Sequence, residues 1–162
     1  LGAWSDIGDY YGQFIPNAAY ALGMGIAYWS TGEKLYSRRA ALMLKGSGYA
    51  VSVNYALKLT ARVRRPNGSD NKSFPSGHAA SAFAFSTVVW AEHGWKYGVP
   101  ATMLATLTGA SRINDNMHYL DDVIFGSTVG ISYGIGVWYM SQNDSTSVSN
   151  WSFTPVLAKD LQ

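Results

Sequence analysis

Two runs without a charged side chain, residues 10–32 and 123–143, constrain the fold of this chain more than any other feature. Each is much longer than a typical strand and long enough, as a helix, to cross a bilayer. They are diluted by Gln13, Pro16, Asn17, Ser30, Ser127, Ser132 and many glycines, and the mean hydropathy of the chain is −0.03. The expectation is therefore buried helices of a soluble domain rather than membrane spans.

The rest of the pattern is helical as well. In residues 3–14, Trp4, Ile7, Tyr11 and Phe14 recur at helical spacing, with Ser5 or Asp6 available as a cap, which predicts a short amphipathic helix. Pro16 and Asn17 open an Ala- and Gly-rich helix over 17–30 that ends near Gly32. Residues 33–65 are nearly continuous helical pattern, and Gly46-Ser47-Gly48 within it signals a turn, a kink or close helix packing. A polar, turn-forming loop separates Pro66 from Pro75. Helices are then expected over 77–91, over 95–111 with Pro100 in the first turn, and over 117–140, where Gly126, Gly130, Gly134 and Gly136 predict tight packing. Residues 141–162 read as a polar linker and an extended tail. Together these elements predict a single-domain, all-α bundle of about six helices over residues 1–140.

Composition narrows the function. At 162 residues and 48% hydrophobic, the chain can bury one sizeable core. Its net charge of +2 gives no bulk attraction to nucleic acid, so any working positive charge is local. With no cysteine, thiolate catalysis, disulfides and thiolate-bound metal are excluded. The chain starts at Leu1 without a basic and apolar leader, and a removed signal peptide fits that start.

Local charge lies between Lys58 and Asp122, in three clusters. Lys58 and Arg65 are seven residues apart, about two helical turns, so a helix through both projects them from one face; Arg62 and Arg64 are alternative cations there. Pro75-Ser76-Gly77-His78 falls where a loop becomes a helix, so free backbone N–H groups and the helix dipole can face an anion. The Ser76 hydroxyl can donate to that anion or serve as an ordinary N-cap. His118 and Asp122 form an i, i+4 pair in which the carboxylate can hold a proton on Nδ1 and aim Nε2 outward, with Asp121 as an alternative partner. Ser111-Arg112 precedes an Asn-Asp-Asn loop that would fold the arginine back toward His118. Each cluster alone reads equally as a solvated face or a helix cap; jointly they describe a pocket for a phosphoryl group. His93, in a Glu-His-Gly-Trp turn, reads as a surface histidine.

In order and spacing, Lys58, Arg65-Pro66, Pro75-Ser76-Gly77-His78, Ser111-Arg112, His118 and Asp122 resemble the signature of the type 2 phosphatidic acid phosphatase family, which includes bacterial acid phosphatases and vanadium haloperoxidases. The resemblance implies a helical fold and hydrolysis of a phosphomonoester through a phosphohistidine, with neither metal nor other cofactor. By it, His118 is the nucleophile, Asp122 steadies its imidazolium, and His78 is first the proton donor and then the base. Lys58, Arg65, Arg112, Ser76 and the Gly77 amide are implied to hold the phosphate oxygens. The same pattern selects Lys58 and Arg65 over Arg62 and Arg64, and Asp122 over Asp121. The implied partner is a phosphorylated substrate, a lipid phosphate ahead of a small soluble ester, with membrane-surface contact and a bacterial periplasmic or envelope location. A vanadate-dependent haloperoxidase and a noncatalytic phosphate-binding envelope protein are the other readings.

Overall fold

The computed structural model describes residues 2–143. Among them are six α-helices and no strand: α1 (Ala3–Gly12), α2 (Ile15–Thr31), α3 (Lys34–Ala61), α4 (Gly77–His93), α5 (Trp95–Asn114) and α6 (Leu120–Asn143). The expected all-α bundle is thus observed. α4 occupies the centre, packed on α3, α5 and α6 and reached also by α1 and α2.

Small residues decide this arrangement. Ala79, Ala80, Ser81, Ala82 and Ala84 of α4 are all buried, and α6 meets them with a glycine stripe. A methyl on Gly126 or Gly130 would fall within 3.0 Å of the Ser76 or Ala80 carbonyl oxygen, and one on Gly134 would lie 2.8 Å from Thr87. The two helices therefore touch main chain to main chain. Gly136 faces open space and takes no part. Larger side chains, Leu42, Met43, Val88 and Val89, fill the lower core with Tyr20, Phe85, Val137 and Trp138. The fully buried Asn17 donates to Ser47 Oγ at 2.5 Å and to the Ser81 carbonyl at 3.3 Å, and accepts from Ser81 Oγ at 3.1 Å, so its burial is matched by hydrogen bonds.

Several expectations need correction. Of the alternatives for Gly46-Ser47-Gly48, close helix packing is the one observed: α3 runs through without a turn, with Gly46 and Ser47 buried and Gly46 against Gly134 and Val88. α3 stops at Ala61, where Arg62 turns left-handed at φ 49°, so residues 62–65 are loop. Pro100 sits in the second turn of α5 rather than its first. The last helix starts at Leu120 and runs to Asn143, so residues 141–143 of the expected linker are helical, and residues 144–162 lie outside the described residues. The face expected inward on α1 is turned in only at Tyr11, which is half-buried with its ring edge-on to Phe85 at 5.5 Å. The buried residues of α1 are Ser5, Gly8 and Gly12, while Trp4, Ile7 and Phe14 lie outward, and neither Ser5 nor Asp6 caps it.

The two uncharged runs are not buried helices. In α2 only Asn17 and Ala21 are buried, and Leu22, Ile26 and Trp29 are exposed, Trp29 at 88%. Along Leu120–Gln142, which is long and apolar enough to cross a membrane, only 22% of the most apolar window is buried. The reason lies in the packing: interfaces built from Ala, Gly and Ser bring backbones together and leave no interior room for bulky side chains.

Candidate active site

The chemistry gathers at one end of the bundle, where α3 and α5 end, α4 begins and the loop before α6 passes. Loop 62–76 is tied to loop 115–118: Asn67 N donates to the Asn116 carbonyl at 3.0 Å, and Arg65 Nη1 to the Met117 carbonyl at 3.3 Å. Lys58 and Arg65 do not share a helical face, because the left-handed turn at Arg62 intervenes. They meet instead because the loop folds back. Arg65 Nε pairs with Asp70 at 2.7 Å and Lys58 Nζ donates to the Lys72 carbonyl at 2.5 Å. Arg62 and Arg64 are exposed, so Arg65 is the arginine of this stretch turned into the site. Burial, with Arg65 next in effect, lowers Lys58 to about 8.

Ser76 is the N-cap of α4 and fully buried; its Oγ accepts from Ala79 N at 3.4 Å, while its own N–H donates to the Asp122 carbonyl at 3.0 Å. The cap reading of Ser76 therefore holds, and its hydroxyl hydrogen has no acceptor among the described residues. Gly77 and His78 follow on the first turn, where helix N–H groups lack intrahelical acceptors. Phe74–Pro75 is a cis peptide.

The Arg112 carbonyl accepts from both Met117 N at 3.0 Å and His118 N at 3.2 Å, which folds the post-α5 loop back and hangs His118 beside Arg112. His118 is buried and precedes α6 by two residues, so the pair with Asp122 spans a loop and a helix rather than one helical face. Its Nδ1 lies 3.7 Å from Asp122 Oδ2 and makes no hydrogen bond there. That oxygen is taken by Ser73 Oγ at 2.5 Å and by Tyr119 N at 2.8 Å. Asp122 is buried and Asp121 exposed, which separates the two alternatives. Burial, then Lys58 and Arg65, lowers His118 to about 3, with the Ser73 backbone opposing; burial and then Arg112 lower His78. The imidazole of His118 is thus neutral over the whole physiological range.

Three residues of this site have no spacing signal in the clusters. Ser73 holds the Asp122 carboxylate. Asp115 binds Arg112 Nη2 at 3.0 Å and accepts from Ser5 Oγ. Asp9 of α1 pairs with Arg112 Nη1 and lies 3.2 Å from His78 Nε2. The signal for Asp9 was the Ser5, Gly8, Gly12 spacing, which marks a small face able to press against a neighbour. His93, read as a surface residue, instead shares a 2.7 Å hydrogen bond with Tyr20 Oη far from this site, beside Glu92, which binds Arg38 and Arg39.

One end of the helical bundle thus gathers two histidines, three cations and a helix N-terminus. The sequence matches the family model of the PAP2 superfamily over residues 5–145, and the chain belongs to that superfamily. It is 36% identical over 138 residues to a lipid A 1-phosphatase of Porphyromonas gingivalis, an alignment covering 80% of this chain and 30% of that protein. It is 30% identical over 99 residues to a lipid A 4'-phosphatase of Helicobacter pylori, covering 61% and 48%. The chain thus spans less than half the length of either relative. The crystal structure of Aquifex aeolicus LpxE shares the fold, with a TM-score of 0.55, 22% identity and coverage of 83% and 85%.

Proposed function

We propose that this protein is a phosphatase that removes phosphate from a lipid without a metal, through a phosphohistidine on His118. The observation that carries this reading is a buried His118 set among Lys58, Arg65 and Arg112, whose burial and cationic neighbours favour the neutral imidazole, with His78 at a helix N-terminus. Nε2 of His118 attacks phosphorus, the ester P–O bond breaks, and His78 gives its proton to the departing oxygen. Water then attacks the phosphohistidine, the P–N bond breaks, and His78 takes the proton from that water. Lys58, Arg65, Arg112 and the Gly77 amide hold the charge on the nonbridging oxygens, aided by the Ser76 hydroxyl. As His118 becomes cationic, its Nδ1 closes the 3.7 Å gap to Asp122, a tightening common between resting and reacting sites.

Two features support a lipid substrate. The related proteins are named as lipid A phosphatases. Around the site, Ile7 and Tyr10 of α1, Phe14 at the start of α2, Val63, and Leu120 and Phe125 of α6 are exposed, and Phe125 packs on Phe74 at 4.8 Å. The outer helix faces sit in lipid in this reading, with the site at the lipid–water boundary on the periplasmic side of a bacterial envelope. The test is phosphate release from detergent-dispersed lipid A and small soluble monoesters, in EDTA. Preference for lipid and complete loss in His118→Ala are expected, with His78→Ala slower by about 10²- to 10⁴-fold. Equal turnover of small esters would make it a general acid phosphatase, and halide oxidation by hydrogen peroxide with added vanadate a haloperoxidase.

A further inference from the structure

α1 is fitted to the site by its small face. A methyl on Gly12 would lie 2.7 and 2.8 Å from Cβ and Cδ2 of His78, and one on Gly8 would fall within 3.0 Å of the Ser111 side chain. Between them, one oxygen of Asp9, Oδ1, touches Arg112 Nη1 and stands 3.2 Å from His78 Nε2. A substrate oxygen needs that same position, between the proton donor and the guanidinium. Two more of the five Arg112 N–H donors are engaged: one on Nη2 with Asp115 at 3.0 Å and that on Nε with Ser111 Oγ at 3.2 Å. The two carboxylates differ in how firmly they are held. The Asp115 side chain is 12% exposed and anchored by Ser5, whereas that of Asp9 is 44% exposed, with a further contact only from Gln13 at 3.4 Å.

We infer that Asp9 is a displaceable internal anion: in the empty site its carboxylate fills the seat of a substrate oxygen between His78 and Arg112, keeps both aimed, and leaves when the phosphate arrives. The inference rests on His78 as the proton donor. The charged and titratable groups around His78 are Asp9 from α1, Arg112 from α5, Lys58 from α3, Arg65 from loop 62–76 and His118 ahead of α6. Asp9 is the acid of that set, and it opposes the burial and the arginines that lower His78. Replacing it with a neutral isostere therefore makes His78 lose its proton more readily, but only while the seat is empty.

The test compares wild type with Asp9→Asn and Asp9→Glu in detergent. If the carboxylate fills the seat about nine-tenths of the time, Asp9→Asn binds inorganic phosphate about tenfold more tightly by calorimetry. The alkaline limb of kcat/KM, which reports the free enzyme, moves about one pH unit toward acid, while the limb of kcat stays in place. Asp9→Glu restores the limb. Unchanged or weaker phosphate binding, or an equal shift of both limbs, would overturn the inference, because a purely structural carboxylate or one retained in the complex gives those results. NMR titration of labelled His78 needs no turnover. A chain inactive on every ester, yet showing tighter phosphate binding and a lowered His78 titration in Asp9→Asn, would sink the phosphatase reading and the proton-donor role of His78 while leaving Asp9 as a displaceable anion in a phosphate seat.

Discussion

The hydroxyl of Ser73 holds the buried Asp122 carboxylate at 2.5 Å, and the carboxylate in turn lies 3.7 Å from Nδ1 of His118, the proposed nucleophile. Ser73→Ala removes a hydrogen bond to a charged group, about 1.5–3 kcal/mol. Steady-state kinetics should show kcat falling about 10- to 100-fold with KM nearly unchanged, since Ser73 touches no substrate. The pH dependence follows from the two histidines. In the proposed mechanism His118 attacks as the neutral imidazole, its pKa lowered to about 3, and His78 acts in its protonated form, its pKa lowered below the ordinary 6.5. The kcat/KM of the wild type should therefore peak in acid, between about 3 and 6.5, and decline as pH rises through the His78 value. Lys58, lowered to about 8, keeps its charge across that window. An alkaline limb above pH 8 would assign the proton donor to another group. At this scale the motif residues were legible because their chemistry and spacing are local. Ser73, Asp9 and Asp115 were not, because each acts through a neighbour that only the folded chain supplies.

Two helices set the positions of those residues, and glycine sets the helices. Gly130→Val would drive a side chain into the Ala80 carbonyl and separate α4 from α6. Overpacking costs about 1–3 kcal/mol, and here it displaces the very turn that carries Ser76 and His78. Thermal denaturation should show a lower Tm, and activity should fall with it. Gly136 has open space around it, so Gly136→Ala should instead leave activity intact and stabilise by about 0.5–1 kcal/mol through helix propensity. The tight face on the last helix was legible as a glycine repeat, but Gly136 was counted with it although a residue two after Gly134 falls on another side of the helix. The face of α1 was misread for a physical reason. Bulky residues at helical spacing mark a core only where interior room exists for them, and here the small residues Ser5, Gly8 and Gly12 pack inward.

For the molecule as a whole, the exposed Leu22, Ile26 and Trp29 on α2 and Leu120, Ile124, Ile131 and Ile135 on α6 form an exterior that water does not favour. Brominated acyl chains should quench a large part of the tryptophan emission, with Trp29 the first contributor, and the protein should aggregate when detergent is withdrawn. A monodisperse chain in plain buffer, unquenched by such lipids, would contradict this placement. The main-chain contact between α4 and α6 also has a consequence for how freely such a sequence can drift. The spacing between the His78 turn and the segment after His118 is set by atoms common to every residue, so the bulky exterior can be exchanged widely among apolar types at little cost. The seam admits almost nothing but glycine. A saturation library should accordingly show a narrow line of intolerance running down α6 at Gly126, Gly130 and Gly134, beside broad permissiveness one helical face away.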